Sequence, residues 1–242
     1  AYNAETGRDM TPLVSTDAQG AWWGGQGGGT IPHGLIACFF ADTAEASLAF
    51  ARHIDPAVPR IALVDFNNDT VRGSLATLDA YWDQYKRALA EGDETAQKRY
   101  TLNAVRLDTS GALVDASLNR NDPRGVSPLL VRTVREALDN AWTRWDLPAG
   151  LEDAAKTYCQ NVGIVVSGGF NRDKIARFEA EGAPVDYYGV GSKLLYNSGE
   201  HSTDYTMDVV RLKIDSQWVD MPKVGRSPGD HDNLELVDLG PL

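Results

Sequence analysis

The sequence predicts an α/β protein built on a parallel sheet, and three observations carry that expectation. Apolar runs at 60–66, 102–107, 162–166 and 185–190 alternate with longer segments of helical period. Each run ends in polar residues or glycine: Asp65, then Arg106 and Asp108, then Ser167-Gly168-Gly169, then Gly189 to Ser192. The chain has 242 residues, 43% of them hydrophobic, enough for a sizeable core in one large domain or one and a half. Repeated strand–helix alternation argues for a parallel architecture. In a (β/α) barrel the strand ends would converge on one face, whereas in a doubly wound sheet they would gather at a switch point.

In chain order, residues 13–23 read as an entry segment, with Ser15-Thr16-Asp17 as a helix cap. Residues 24–29 hold five glycines in six positions and form a loop. Residues 34–40 are apolar and pass into a helix over 43–53, capped by Asp42 or Thr43, with His33 between the glycine loop and that helix. Residues 60–66 form a buried strand ending in a carboxylate. The segment 71–89 is a helix with Leu75, Leu78, Tyr81, Trp82 and Tyr85 facing the core. A charged connector spans 92–100, and the strand with Arg106 and Asp108 comes next. Pro128 opens a helix to about residue 141 with Leu129, Leu130, Val134 and Leu138 inward, and 146–158 holds a short helix or loop. The best buried strand is 162–166. Asn171 and Asp173 open a helix to 181, with a strand at 185–190 after it. Beyond residue 195, 204–214 alternates as a strand that pairs with 217–224, and an acidic extension covers 227–242.

Composition excludes several classes. Formal net charge is −11, so a broad basic footprint for nucleic acid is absent. No apolar run reaches the ~18–20 residues a membrane helix needs. Cys38 and Cys159 lack metal-ligand spacing and read as reduced core residues of a cytoplasmic protein without a signal peptide. The polar, weakly patterned segment 1–12 suggests continuation from a missing N-terminal domain.

The chemistry concentrates at Val105 to Gly111. Arg106 and Asp108 share a strand face. A guanidinium forks onto phosphate and a carboxylate accepts from a vicinal diol, so the pair suits a sugar phosphate, or else forms a plain ion pair. The two glycine-rich strand ends suit a phosphate cradle, or else are tight turns. Lys223-Val224-Gly225-Arg226 is basic in an acidic chain and reads equally as a phosphate contact or a solvated tail. A barrel aldolase would want a Schiff-base lysine at a strand end, and neither Lys174 nor Lys193 sits on one.

Five ordered motifs, Gly29-Thr30-Ile31-Pro32-His33, the strand ending in Asp65, Val105-Arg106-Leu107-Asp108-Thr109, Val166-Ser167-Gly168-Gly169-Phe170 and Tyr188-Gly189-Val190-Gly191-Ser192, together resemble the nicotinate phosphoribosyltransferase family. That family belongs with the nicotinamide and quinolinate enzymes as type II phosphoribosyltransferases. The segment Thr203 to Val210 resembles the stretch after the family's last motif, so the resemblance spans about 13–226. It implies an incomplete (β/α) TIM-like barrel at 13–200 with a small C-terminal β extension at 201–242. It further implies nicotinate and 5-phosphoribosyl diphosphate (PRPP) as substrates, Mg²⁺ with the PRPP, ATP in coupled members, and a homodimer. An N-terminal domain precedes the barrel in the family, so the resemblance also implies either a partner chain supplying that domain or a fragment that is inactive alone.

Carried over by position, Arg106 resembles the residue contacting the donor phosphate or ribosyl ring, and Asp108 the ribose-diol ligand. Asp65 resembles a strand-end carboxylate facing the ribose and metal, and His33 the histidine that ATP phosphorylates. Ser167, Gly168, Gly169, Gly189, Gly191 and Ser192 resemble the 5′-phosphate cradle, with Thr30 in the first motif as a further substrate contact. No dedicated protein cage for a metal is implied. Asp17 matches a position that accepts from the carboxamide in the nicotinamide branch, and an ionised Asp there would repel nicotinate. Nicotinamide is therefore the alternative base, and a non-catalytic, nucleotide- or partner-binding barrel the alternative class.

Overall fold

A wholly parallel sheet of four strands in chain order organises the molecule. The computed structural model describes residues 15–21, 27–28, 31–191, 193 and 207–229. The helices are α1 (Asp17–Gly20), α2 (His33–Cys38), α3 (Thr43–His53), α4 (Thr70–Glu91), α5 (Glu94–Arg99), α6 (Pro128–Asn140), α7 (Glu152–Gln160) and α8 (Arg172–Ala180). The sheet comprises β1 (Ile61–Leu63), β2 (Ala104–Leu107), β3 (Gly163–Val166) and β4 (Tyr187–Tyr188). A separate antiparallel hairpin pairs β5 (Arg211–Ile214) with β6 (Gln217–Asp220). Among the described residues the sheet is open. No closed barrel is seen there, because four strands ending in a two-residue edge strand do not close.

Strand alternation divides the side chains between two faces. Ala62, Val64, Val105, Leu107, Ile164 and Val166 join one core with Leu78, Tyr81 and Trp82 of α4, Leu130, Val134 and Leu138 of α6, and Tyr158 and Cys159 of α7. Trp82 stacks on Trp145 at 5.0 Å and 4°. The register sets Leu63, Arg106, Val165 and Tyr187 side by side on the other face. That face is partly covered by a smaller cluster of Ile36, Ala37, Ala46, Leu63 and Phe66, against which Leu212 and Met221 of the hairpin region pack.

Local signals account for most helix limits. Asp42, Asp69, Ser127 and Asn171 each accept from the backbone N–H three residues on, capping α3, α4, α6 and α8. Gly92 closes α4 with φ 68°. Gly73 lets α4 rest on the end of β1, since a Cβ there would lie 2.4 Å from the Val64 carbonyl oxygen.

Several expectations are corrected. The 92–100 connector contains α5, capped by Asp93 and too short to show a periodic stripe. The strands at 60–66 and 185–190 shrink to three and two residues. Residues 34–40 do not run into α3: Phe40 and Ala41 have φ of 54° and 65°, a left-handed reversal without glycine that composition does not reveal. The strand expected from 204 begins at Arg211; residues 204–206 lie outside the described set, as does most of the acidic extension. Cys38 is exposed, not core, while burial pushes the Cys159 thiol up to about 11.

Arg60 is 1% exposed. Its guanidinium donates to the carbonyls of Ala51, Ile54, Asp55, Val58 and Arg99, tying the end of α3 to α5. Arg60→Met keeps the apolar stem but strands these acceptors, each costing about 1–3 kcal/mol if left dry. The expected loss is about 3 kcal/mol or more, read from urea midpoints at matched m-value.

Candidate functional site

The site lies where the sheet's second face runs past the strand ends. Continuing the register two residues beyond Leu63, Arg106, Val165 and Tyr187 aligns Asp65, Asp108, Ser167 and Gly189. The alignment is held by Ser167 N donating to the Leu107 carbonyl at 2.9 Å and Gly189 N to the Val166 carbonyl at 2.7 Å. Ser167 Oγ donates to Asp108 Oδ1 at 2.9 Å. Period-two alternation thus brings residues from four chain segments into one row.

Asp65 is the buried centre, 1% exposed. His33, the first residue of α2, brings Nε2 to 3.0 Å from Asp65 Oδ1. The Lys223 ammonium meets Asp65 Oδ2 and donates to the Asp108 carbonyl oxygen at 2.9 Å. Burial pushes the Asp65 carboxyl up, but the His33 hydrogen bond and the Lys223 charge outweigh it and hold its pKa below the ordinary value. Asp65 is therefore ionised at neutral pH, and His33 Nε2 must be the donor. Lys223 reaches the site because Met221 and Leu212 pack on the smaller cluster and Val224 N donates to the Phe66 carbonyl at 3.0 Å.

Arg106 is steered by the segment before His33, with Nη2 donating to the Ile31 carbonyl at 2.9 Å. Its buried Nε has no hydrogen-bond partner among the described residues. Arg106 and Asp108 share a face as expected, but Asp108 bonds to Ser167, and the simple Arg–Asp pair does not appear among the described ion pairs. Gly168 and Gly169 have φ of 89° and 67° and turn the chain from β3 toward α8. A Cβ on Gly168 would be strained and would lie 3.1 Å from Asp108 Oδ1. The Lys174 ammonium, 4.1 Å from the Phe170 ring centroid, donates to the Gly168 carbonyl at 3.0 Å and fixes this turn.

The other expected site residues are dispersed. Gly189 is in the row, and Gly191 is exposed just beyond it. Asp17 is not a cap but the first residue of α1, and its Oδ1 accepts from Gly27 N at 2.9 Å, tying the glycine loop. Thr30 and Ser192 lie outside the described residues. Lys223 was legible only as one of two basic residues in an acidic segment; the buried ion pair it makes has no sequence signal. Asp115 is buried for a structural reason, accepting from Thr70 N, Thr109 Oγ1 and Ser117 N to fix the loop after β2 on α4.

Among the described residues, His33, Asp65 and Asp108 bring three potential ligand atoms within 4.8 Å of one another. They do not fit a resident divalent cation. Both Asp65 oxygens are engaged, and a metal would have to expel a buried ammonium.

The depressed pKa of Asp65 fixes a sign. Its contribution to stability is fully present above the unfolded value of about 3.9 and is lost as pH falls through the lower folded value. Asp65→Asn also leaves the Lys223 ammonium unpaired, a change that costs about 3–5 kcal/mol in buried pairs. The wild-type advantage over Asp65→Asn should be large at neutral pH and shrink below the ordinary carboxylate range. Urea midpoints of both proteins across the acid range measure it, and a constant difference would show that Asp65 is not ionised in the pair.

Comparison with family models and with curated proteins finds no match for this chain, so the family resemblance rests on its motifs.

Proposed function

We propose that the chain carries the catalytic face of a phosphoribosyltransferase that joins PRPP to nicotinate, giving nicotinate mononucleotide, with the sheet as an arc of an incomplete (β/α) barrel. The observation that supports this most is the row itself. Arg106, Asp108 and Ser167 stand on one face at neighbouring parallel strand ends, directly before the left-handed Gly168-Gly169 turn into α8. A buried guanidinium N–H without a partner costs about 1–3 kcal/mol, which an anionic ligand would recover.

In this reading Arg106 binds donor phosphate and Asp108 accepts from the ribose diol. Ser167, Gly168, Gly169, Gly189 and Gly191 surround the 5′-phosphate, using backbone N–H groups near the start of α8. The pyridine nitrogen attacks C1 of the ribosyl group and pyrophosphate leaves. The transition state is oxocarbenium-like, so the protein positions both partners and meets developing charge. No general base is needed, because the pyridine nitrogen has no proton to lose. Mg²⁺ enters as part of the substrate, bound to the diphosphate. His33 accepts a phosphoryl group from ATP in the coupled form of the reaction.

Calorimetric titration with magnesium PRPP tests the donor site. Arg106→Ala should weaken binding by about 2–4 kcal/mol, the range for truncating one side of a charge-assisted contact. Unchanged affinity in a folded variant would remove Arg106 from the donor site.

Nicotinamide remains the alternative base because of the Asp17 carboxylate, which is exposed and carries a single described bond, to Gly27 N. If Asp17 faces the base, Asp17→Asn should shift the nicotinate-to-nicotinamide affinity ratio toward the acid. A ratio that does not move would leave Asp17 as a tie for the glycine loop.

A further inference from the structure

The peptide between Gly168 and Gly169 has no side chain on either side to hold its plane. Both residues are exposed and have positive φ, 89° and 67°. With glycine at both positions, the plane can turn over at little steric cost. The two orientations offer a ligand opposite things. The peptide is trans, so its N–H stands antiparallel to its C=O. One orientation presents the Gly169 N–H, a donor to anions; the other presents the Gly168 carbonyl oxygen, which repels them.

The structure holds one orientation through Lys174. Its ammonium donates to the Gly168 carbonyl at 3.0 Å and lies 4.1 Å from the Phe170 ring centroid and 5.9 Å from that of Phe178. Phe170 is buried and meets Phe178 edge-on at 5.0 Å, so the ring beneath the charge is itself fixed. Asn171 Oδ1 accepts from Lys174 N at 2.8 Å and anchors the backbone from which the side chain starts. Among the described residues Lys174 makes no ion pair, and its charge goes to a carbonyl and a ring face. With the carbonyl on the Lys174 side, the Gly169 N–H points the opposite way. Among the described residues neither that N–H nor the N–H of Gly168 makes a hydrogen bond.

We propose that Lys174 is a positioning residue: by holding the Gly168 carbonyl it keeps the Gly169 N–H turned outward, so that the glycine turn receives a phosphate monoester instead of facing it with a carbonyl oxygen. The proposal rests on the 5′-phosphate role given to this turn under the proposed function, and it adds what sets the turn's polarity. Lys174 acts through the peptide, because its ammonium is engaged by the carbonyl and the Phe170 ring.

Ribose 5-phosphate is the probe, since it carries the phosphate monoester without the diphosphate. NMR of the ¹⁵N,¹³C-labelled chain reads the Gly169 amide shift and its HN–Hα couplings, which report φ at Gly169, and calorimetry reads affinity. In the wild type the couplings should fit φ near 67°, and saturation with ribose 5-phosphate should move the Gly169 amide proton downfield. In ligand-free Lys174→Met the couplings should shift as the peptide turns over, and return toward the wild-type values on saturation. If the outward state falls to about a tenth of molecules, Kd rises about tenfold. Lys174→Arg keeps a charged donor that can lie on Phe170, and should restore both couplings and affinity. Weaker binding in folded Lys174→Met with unmoved couplings would show a loss of charge alone and overturn the proposal. That outcome, with a wild-type Gly169 amide that responds to the probe, ends only the role of Lys174. A wild type that fails to bind ribose 5-phosphate, or binds it without moving the Gly169 amide, ends the phosphate role of the turn and the proposal with it.

Discussion

The Asp65 carboxylate is the constraint on which the rest depends. It is withdrawn from water, and an isolated charge there would be too costly to persist. Two donors make it tolerable, and they come from opposite ends of the described chain: His33 from α2 and Lys223 from the segment after β6. Satisfying one carboxylate therefore fixes three segments at once. The smaller apolar cluster performs the same closure with Ile36, Phe66 and Met221. Apolar packing supplies proximity, and the charges select a single arrangement within it.

The sheet supplies the remaining order. Parallel register places equivalent positions of adjacent strands side by side, so a polar residue two positions past one strand end meets its counterpart on the next. Asp65, Asp108, Ser167 and Gly189 are such counterparts. Their neighbours Val64, Leu107 and Val166 face the main core. A one-residue slip of β2 would bury Asp108 and expose Leu107, so the core enforces the geometry of the site.

This explains what could be read in the sequence. The main helices and their caps arise from local period and capping chemistry and appear close to the expected limits, whereas the strands appear in the expected places but two of them are much shorter. The shared face of Arg106 and Asp108 comes from alternation alone. What could not be read depends on distance or on backbone states without a compositional mark. Phe40 and Ala41 adopt left-handed conformations with ordinary side chains, held by Phe40 N and Ala41 N bonding back into α2. Lys223 looks like any lysine in a polar tail until Met221 beside it is seen to pack inward. Sheet closure is a property of strands the local pattern does not count.

Charge also shapes how such a site could take an anion. The chain carries a formal −11, a field that opposes an anionic ligand at long range but is screened within about 8 Å at physiological salt. Inside that distance only nearby groups matter, and the formal charges of the carboxylates and the two cations cancel: Arg106 and Lys223 against Asp65 and Asp108. Lys223 is spent on Asp65, so it offers little net attraction. Affinity for a phosphate would have to come from directed donors: Arg106 Nε, which has no hydrogen-bond partner among the described residues, the exposed turn at Gly168 and Gly169, and the start of α8. Such donors reward a ligand whose oxygens meet them and give little to a diffuse anion. On the proposed reading, the cation that neutralises the diphosphate must arrive with it, because the protein has committed its own buried cation to holding the site together.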